Sequence, residues 1–330
     1  MTTLVQQPRP QPQIICPGTP ARGSGRGLAM WMLILATALW GAGFTWAKDA
    51  QQAINLAGPG LHATLGPLWF LGLRFLVAGL LWLALFPAAR RGWSTGSVRR
   101  SVVLGALLAV GMILQHLGLD RSSEAVTAFL TTLSIVFVPV LSATVLRRPP
   151  RVAVWVGVAV AMVGVWRMTG GAPRGFGLGE LFGVACAVVF SVHILALNVL
   201  VPRDSPMRLN GGQFLVIGLI CLVAIPFDPA SWAYLSAGEL WRVTNQPVAW
   251  TGLALMVLLP TLGAFSLMTF FQPKLDPTRA ALIYLVEPIW AGAFAWVIAG
   301  RAMTGAELQG AAIILAANAI VELLSARRRG

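Results

Sequence analysis

Ten separate stretches of this chain are apolar enough and long enough to cross a lipid bilayer, and nothing else in it constrains the fold as strongly. They lie at 30–47, 67–87, 102–119, 125–146, 152–168, 179–200, 212–228, 249–271, 279–299 and 306–325. A hydrocarbon core about 30 Å thick needs about 20 mostly apolar residues for each helical crossing. Inside that core the segment must satisfy its own backbone N–H and C=O groups, which leaves a helical bundle as the fold. The apolar residues come in blocks and not in period-2 or period-3.6 stripes, so a soluble domain with one buried face is excluded. Composition agrees. Of 330 residues 57% are hydrophobic and 11% charged, with a mean hydropathy of +0.77, whereas a soluble domain carries about 25% charged residues. A soluble enzyme, a secreted disulfide domain, a fibre and a disordered chain are all ruled out. The expected class is an all-α integral membrane protein with ten transmembrane helices.

Residues 1–29, with Pro8, Pro10, Pro12, Pro17 and Pro20 among Gln, Gly and Arg, read as a disordered tail. They lack the charged-then-apolar order of a cleaved leader. Residues 326–330 read as a second, short tail. Pro and Gly punctuate the connectors, and the connector 229–248 has room for an interfacial segment around Trp232, Tyr234 and Trp241. The net charge of +13 does not point to nucleic acid, because no continuous basic stripe is present. Basic residues instead sit beside the apolar blocks, where they orient a membrane protein. With the N-terminus inside, 17 of the 24 Lys and Arg residues fall on inner connectors and tails. Six fall outside (Lys48, Arg121, Arg167, Arg174, Arg242 and Arg301), and Arg74 lies within a span. That bias places both termini in the cytoplasm of a multi-pass inner-membrane protein. Cys16, Cys186 and Cys221 lack metal spacing and read as small hydrophobes. No metal or cofactor is expected.

The chain is also a repeat. RFLVAGLLWLALFP (74–87) aligns without a gap on QFLVIGLICLVAIP (213–226). The stretch from Ser122 to Arg147 lies on Asp276 to Arg301 at a constant offset, and Gly157 then falls near Gly310. Two repeats follow, 30–168 and 179–325, each with five spans. Five is odd, so the halves cross the membrane in opposite senses. Inverted repeats of this kind build many secondary transporters, with the substrate site near the midplane between them.

Several motifs within these repeats together resemble the drug/metabolite transporter superfamily, EamA type. They are WGAGFTWAK (40–48), LRFLVAG (73–79), LDPTRAALIYLVEP (275–288) and GAAIILAANAIVE (310–322), along with Gln115, Pro139 and Gln213. The resemblance covers residues 30–325. It implies a ten-helix basket around a central cavity that carries small metabolites, amino acids or toxic compounds, more often outward than inward. One position departs from the family pattern: Gly300-Arg301 stands where a Gly-Glu pair is usual. That reads as a change at a surface contact, at the expense of an interhelical ion pair.

Glu287 is the sharpest single feature. It lies near the middle of the ninth span, where an ionised carboxylate is costly unless paired or hydrated. Pro288 donates no backbone hydrogen bond and kinks the helix, which frees the carbonyl of Tyr284. Carboxylate, carbonyl and phenol then share one face. The aligned first-half positions are Leu133 and Ser134, so this charge belongs to one half. Glu287 reads either as a substrate-amine contact or proton carrier, or as the fixed partner of Arg74. Arg74 cannot shed its charge, and a structural pair with Glu287 or another acid is the favoured reading. Lys48 reads as snorkelling to the outer interface.

Trp31, Trp69, Trp166, Trp250 and Trp296 lie at span ends, where aromatic belts form. Trp40 and Trp290 are mid-span and line either a cavity or a helix contact. Thr127, Thr131 and Ser134 form a polar stripe on the fourth span that bonds its own helix carbonyls or faces the cavity. Gln115, His116 and His193 read as buried hydrogen-bonded groups or, for the histidines, proton carriers. Asn198 and Asn318 read as helix glue, Glu322 as an end charge, and Gly157 and Ala161 as packing positions. The candidate cavity set is therefore Trp40, Gln115, His116, Thr131, His193, Tyr284, Glu287 and Trp290, with Arg74, Pro288 and Lys48 as structural or coupling residues.

The leading reading is a secondary exporter of small organic metabolites such as amino acids and related amphipathic compounds. It works by alternating access with protons as coupling ion, as a monomer or weak homodimer in the lipid bilayer. A membrane enzyme is the alternative from another class, but HExxH, paired intramembrane aspartates and clustered aspartates are missing, as is a P-loop for ATP. A channel is the third reading, and the chain has no filter-like sequence.

Overall fold

The computed structural model describes residues 24–60, 62–145, 152–168 and 177–326, and among these no strand occurs. The first half comprises α1 (Ser24–Ala57), α2 (Leu65–Leu85), α3 (Thr95–Arg121), α4 (Glu124–Thr132), α5 (Ser134–Val145) and α6 (Val152–Met168). The second comprises α7 (Leu178–Leu200), α8 (Pro206–Ala224), α9 (Pro247–Met256), α10 (Ser266–Phe271), α11 (Pro277–Tyr284), α12 (Glu287–Ala299) and α13 (Gly305–Ala326). A π-helical stretch, Val257–Phe265, joins α9 to α10. Eight of the resulting rods are long and apolar enough to cross a membrane. The segments expected as spans five and ten, α6 and α13, hold shorter apolar stretches, Trp155–Gly164 and Gly305–Ala317.

The first span is longer than its apolar block. α1 begins at Ser24, inside the segment read as a tail, and runs to Ala57; residues 1–23 lie outside the described ones. It continues past residue 47 because the polar residues that end the block find partners. Gln51 is fully buried and exchanges two bonds with His116 of α3: its amide reaches the backbone oxygen at 3.2 Å and its Oε1 meets Nδ1 at 2.9 Å. Ser94 and Ser123 cap α3 and α4, accepting from the amides of Ser97 and Val126. Between α8 and α9, a 3-10 turn (Pro229–Tyr234) and a short helix (Ala237–Thr244) carry exposed Trp232 and Trp241, where an interfacial segment was expected. Asp228 ties this connector to the one after α1 by accepting from Thr64 at 2.5 Å. Burial pushes its carboxyl up, but bonds from Thr64, Ala230 and Ser231 prevail and hold it below the usual range.

The repeat is visible as reciprocal contacts between α2 and α8. A Cβ added at Gly79 would stand 2.7 Å from Leu215, and one at Gly218 would stand 2.7 Å from Leu76. Gly72 faces Leu222 at 2.6 Å on the same measure, and Gly211 faces Leu83 at 3.4 Å. The shift that carries Arg74 onto Gln213 also carries Gly79 onto Gly218, Leu76 onto Leu215, Gly72 onto Gly211 and Leu83 onto Leu222. Each contact therefore occurs twice with its partners exchanged. Numbers rise along α2 as they fall along α8, so the pair is antiparallel. A pseudo-twofold axis relating two oppositely directed halves passes through this contact.

Helix breaks repeat as well. The fourth span stops at Thr132, turns at Leu133 and resumes at Ser134. The ninth stops at Tyr284 and resumes at Glu287, with the Leu285 and Val286 amides bonding three residues back. Pro288 explains the second break, since it supplies no N–H. The eighth span is interrupted differently. Pro260 sits inside the π-helical stretch, where the Thr261 hydroxyl bonds the Met256 carbonyl five residues back at 2.8 Å.

Candidate substrate cavity

These interruptions surround one space midway along the helices. About 770 Å³ of atom-free volume, counting its mouth, lies between α1, α2, α3, the π stretch and the two broken spans. α1 crosses Pro260 closely: a Cβ at Gly43 would stand 2.9 Å from the proline ring. Trp40, next to this crossing, meets Phe265 edge-on at 5.2 Å and Tyr284 at 5.6 Å. Phe265 in turn contacts Phe75 and Phe214 at 5.7 and 6.2 Å. The result is an aromatic wall, extended by Phe190, Met256 and Met268.

Two charged side chains face this space. Glu287 opens α12, is 8% exposed, and has neither a hydrogen bond nor an ion pair among the described residues. Arg74, 1% exposed, reaches from α2. Its Nε donates to the Thr261 hydroxyl at 2.6 Å and its guanidinium lies over the Phe75 ring at 4.8 Å. No carboxylate pairs with it among the described residues, and its Nη1 is buried without a partner. The structural pair with Glu287 or another acid that the sequence favoured for Arg74 is not formed among the described residues. The Trp40 indole N–H and His193 Nε2 are also buried and unpartnered.

The other polar groups are held. Gln115 donates to Thr131 at 3.3 Å, and Thr131 to its own helix at Thr127. His116 is bound to Gln51. Tyr284 donates to Gln272 at 2.7 Å. Gln272 donates to Asn198 at 2.7 Å and to the Ile194 carbonyl, and Asn198 to the Leu275 carbonyl at 3.0 Å. This neutral chain leads from the cavity wall to one end of the molecule. The opposite end is tied by charge. Arg301 pairs with Asp49 at 3.0 Å and with Glu124 at 2.5 Å, and Lys48 reaches Glu124 at 3.7 Å and the Ser122 carbonyl at 2.7 Å.

Comparison with known proteins matches the EamA-like transporter family model to residues 27–170 and again to 177–323. The chain belongs to this family of membrane transporters. A protein of Archaeoglobus fulgidus called an uncharacterized transporter is 23% identical to it over 306 residues, covering 92% of this chain and 88% of that one. A solved crystal structure shares the fold, with a TM-score of 0.65 at 20% identity, covering 92% of this chain and all of the other.

In this EamA-like chain, seven of the eight residues expected in the cavity reach it: Trp40, Gln115, His116, Thr131, His193, Tyr284 and Glu287. Trp290 does not. It lies where α12 crosses α1, next to Gly41, whose added Cβ would stand 2.8 Å from the Ala291 nitrogen, and its ring is beside Phe294. Pro288 is buried at the start of α12, outside the wall. Lys48 does not snorkel, because Glu124 and the Ser122 carbonyl hold it inward. Arg301 does not cost an ion pair; it makes two. Trp69, expected in an interfacial belt, is buried edge-on against Trp250 at 5.8 Å. Cys16 and the side chains of Asn318, Glu322 and Ala161 lie outside the described residues. Sequence reasoning missed Thr261 and the π stretch, for which Pro260 inside an apolar block was the available signal.

Proposed function

We propose that this transporter exports small organic metabolites such as amino acids and related amphipathic compounds by alternating access around the central cavity, with protons as coupling ion. It lies in the inner cell membrane with both termini in the cytoplasm. The observation that carries this reading is Glu287, a carboxylate facing the cavity without a protein partner at the start of a broken helix. Discontinuous helices at mid-depth are where transporters of this architecture hold solute and coupling ion. A group with no fixed partner is free to exchange a proton for a solute amine: loading the amine displaces the proton, and returning the proton releases the amine. The aromatic wall accommodates the apolar remainder. Purified protein in liposomes tests this with an imposed pH gradient and a panel of radiolabelled amino acids. Flux of at least one is expected to follow the gradient, and Glu287→Gln is expected to reach the membrane folded and lose that dependence. Wild-type, gradient-driven flux in Glu287→Gln overturns the coupling role. Channel-like, unsaturable conductance overturns the carrier.

A further inference from the structure

We infer that Arg74 is the anchor for an oxyanion of the ligand, a carboxylate first of all. The compounds this cavity selects therefore carry an acid group, and a lipophilic amine without one is a poor ligand. The inference rests on reading the cavity as the transport site, and it narrows what that site accepts.

Four observations converge on it. The guanidinium keeps its charge under all ordinary conditions, and burial of such a charge without an anion is costly. Its protein contacts are one hydroxyl, at 2.6 Å, and the face of Phe75. Neither neutralises it, and Nη1 has no partner at all. The second observation is position: Arg74 and Trp40, whose indole N–H is another buried donor without an acceptor, both line the same space. A cation lining a cavity with no anion of the protein beside it fits a ligand that supplies one. Third, the acid that could have quenched Arg74 within the protein, Glu287, faces the cavity and makes no pair with it. Fourth, the pseudo-twofold axis carries Arg74 onto Gln213, which is fully buried and bonded to Asn210 and Thr269 at 3.1 and 3.3 Å. The scaffold position is thus filled in one half by a neutral amide, whose nitrogen is bonded and whose Oε1 has no partner, and in the other by a buried cation with no anion beside it. A charge needed only for packing has a neutral precedent at the same place. A guanidinium there gains the planar fork that fits a carboxylate with two parallel bonds.

The test measures equilibrium binding to purified full-length protein, with four compounds on one carbon skeleton: phenylalanine, 3-phenylpropanoate and their amides, phenylalaninamide and 3-phenylpropanamide. Inorganic phosphate is the fifth probe and separates a general oxyanion site from a carboxylate site. Wild-type protein is expected to bind the two acids at least about tenfold more tightly than their acid-free counterparts, the effect of one charge-assisted bidentate pair. Arg74→Gln, which installs the residue of the symmetry mate, is expected to abolish that preference while its unliganded melting temperature stays at or above that of the wild type. Arg74→Lys keeps the charge without the fork and is expected to retain part of the preference, which covers the case in which the glutamine variant does not fold. Phosphate competing with 3-phenylpropanoate for the site supports a general oxyanion pocket, and phosphate failing to compete supports a carboxylate-specific one. Equal binding of acids and amides by the wild type, an undiminished acid preference in Arg74→Gln, or no binding of any acid probe overturns the inference. Acid binding that depends on Arg74 in a protein that moves no solute would defeat the transport reading and leave this one standing.

Discussion

The two halves of this transporter share a scaffold and differ in its charges. Where α2 meets α8 the repeat is kept residue for residue, with Gly79 on Leu215 matched by Gly218 on Leu76. Around the cavity it is abandoned. Arg74 has Gln213 as its mate, Glu287 has Leu133, and Tyr284 has Leu130. Leu133 does not even face the same surroundings: it packs in an apolar cluster with Phe129, Leu130, Leu282 and Leu285. Symmetry therefore serves the frame, which has to pack the same way in both halves. The asymmetry lies at the cavity, where the charged side chains stand in one copy of each pair only.

The strongest way to break this comparison is to move the charge across the axis. In Leu133→Glu/Glu287→Leu the carboxylate should be stranded among apolar side chains at a cost of several kcal/mol, and transport should be lost. Melting temperature and liposome flux measure both effects, and wild-type flux from the swapped protein would show that the halves are interchangeable after all. A smaller effect sharpens the frame. A methyl group at Gly218 meets the Leu76 backbone nitrogen and Cα at 2.7 and 2.9 Å, while one at Gly79 first meets the end of the Leu215 side chain. Gly218→Ala should cost about 1–3 kcal/mol and Gly79→Ala less, because a side-chain tip can rotate away. Thermal unfolding of the two variants ranks them; equal losses would mean that the backbone yields as easily as a leucine.

The connectors give the next step down. Asp204 accepts from Arg100 at 2.8 Å, from Arg208 at 2.6 Å and from its neighbour's amide at 2.7 Å. Burial pushes its carboxyl up, yet bonds from Ser97, Arg208 and the Ser205 amide outweigh that and hold its pKa down at about 2. A depressed carboxylate contributes stability above its ordinary range and loses it as pH falls toward about 2. Asp204→Asn should therefore lose about 1–2 kcal/mol at neutral pH, and the gap from the parent should close in strong acid. A gap that does not change with pH would assign the loss to packing. The smallest effect is expected at Arg242–Glu239, an exposed pair at 2.8 Å. Arg242→Ala should leave the melting temperature almost unchanged, because exposed pairs contribute little.

Fold class, repeat and the helix break at Pro288 were legible because they follow from local rules. Blocks of apolar residues force helices on a chain in lipid, an odd number of spans inverts the second half, and Pro288 breaks a helix wherever it stands. Seven of the eight expected cavity residues were found by the same reasoning, since a polar or ionisable group in an apolar span must face something other than lipid. Partnership was not legible. Whether Arg74 meets Glu287 or Thr261 depends on how α2, α12 and the π stretch are set side by side, and spacing within one helix carries no record of that. Lys48 and Arg301 show the same limit, because one looks like a snorkelling lysine and the other like a surface substitution until a buried Glu124 from another helix is placed against both. Trp290 shows it too, since its neighbours are decided by the close passage of α1 at Gly41. The sequence by itself determined which segments must be buried in lipid and that the ninth span must bend at Pro288, because those costs are local. Only the tertiary structure decided which buried charges find each other and which are left open, because that energy depends on distances across the bundle.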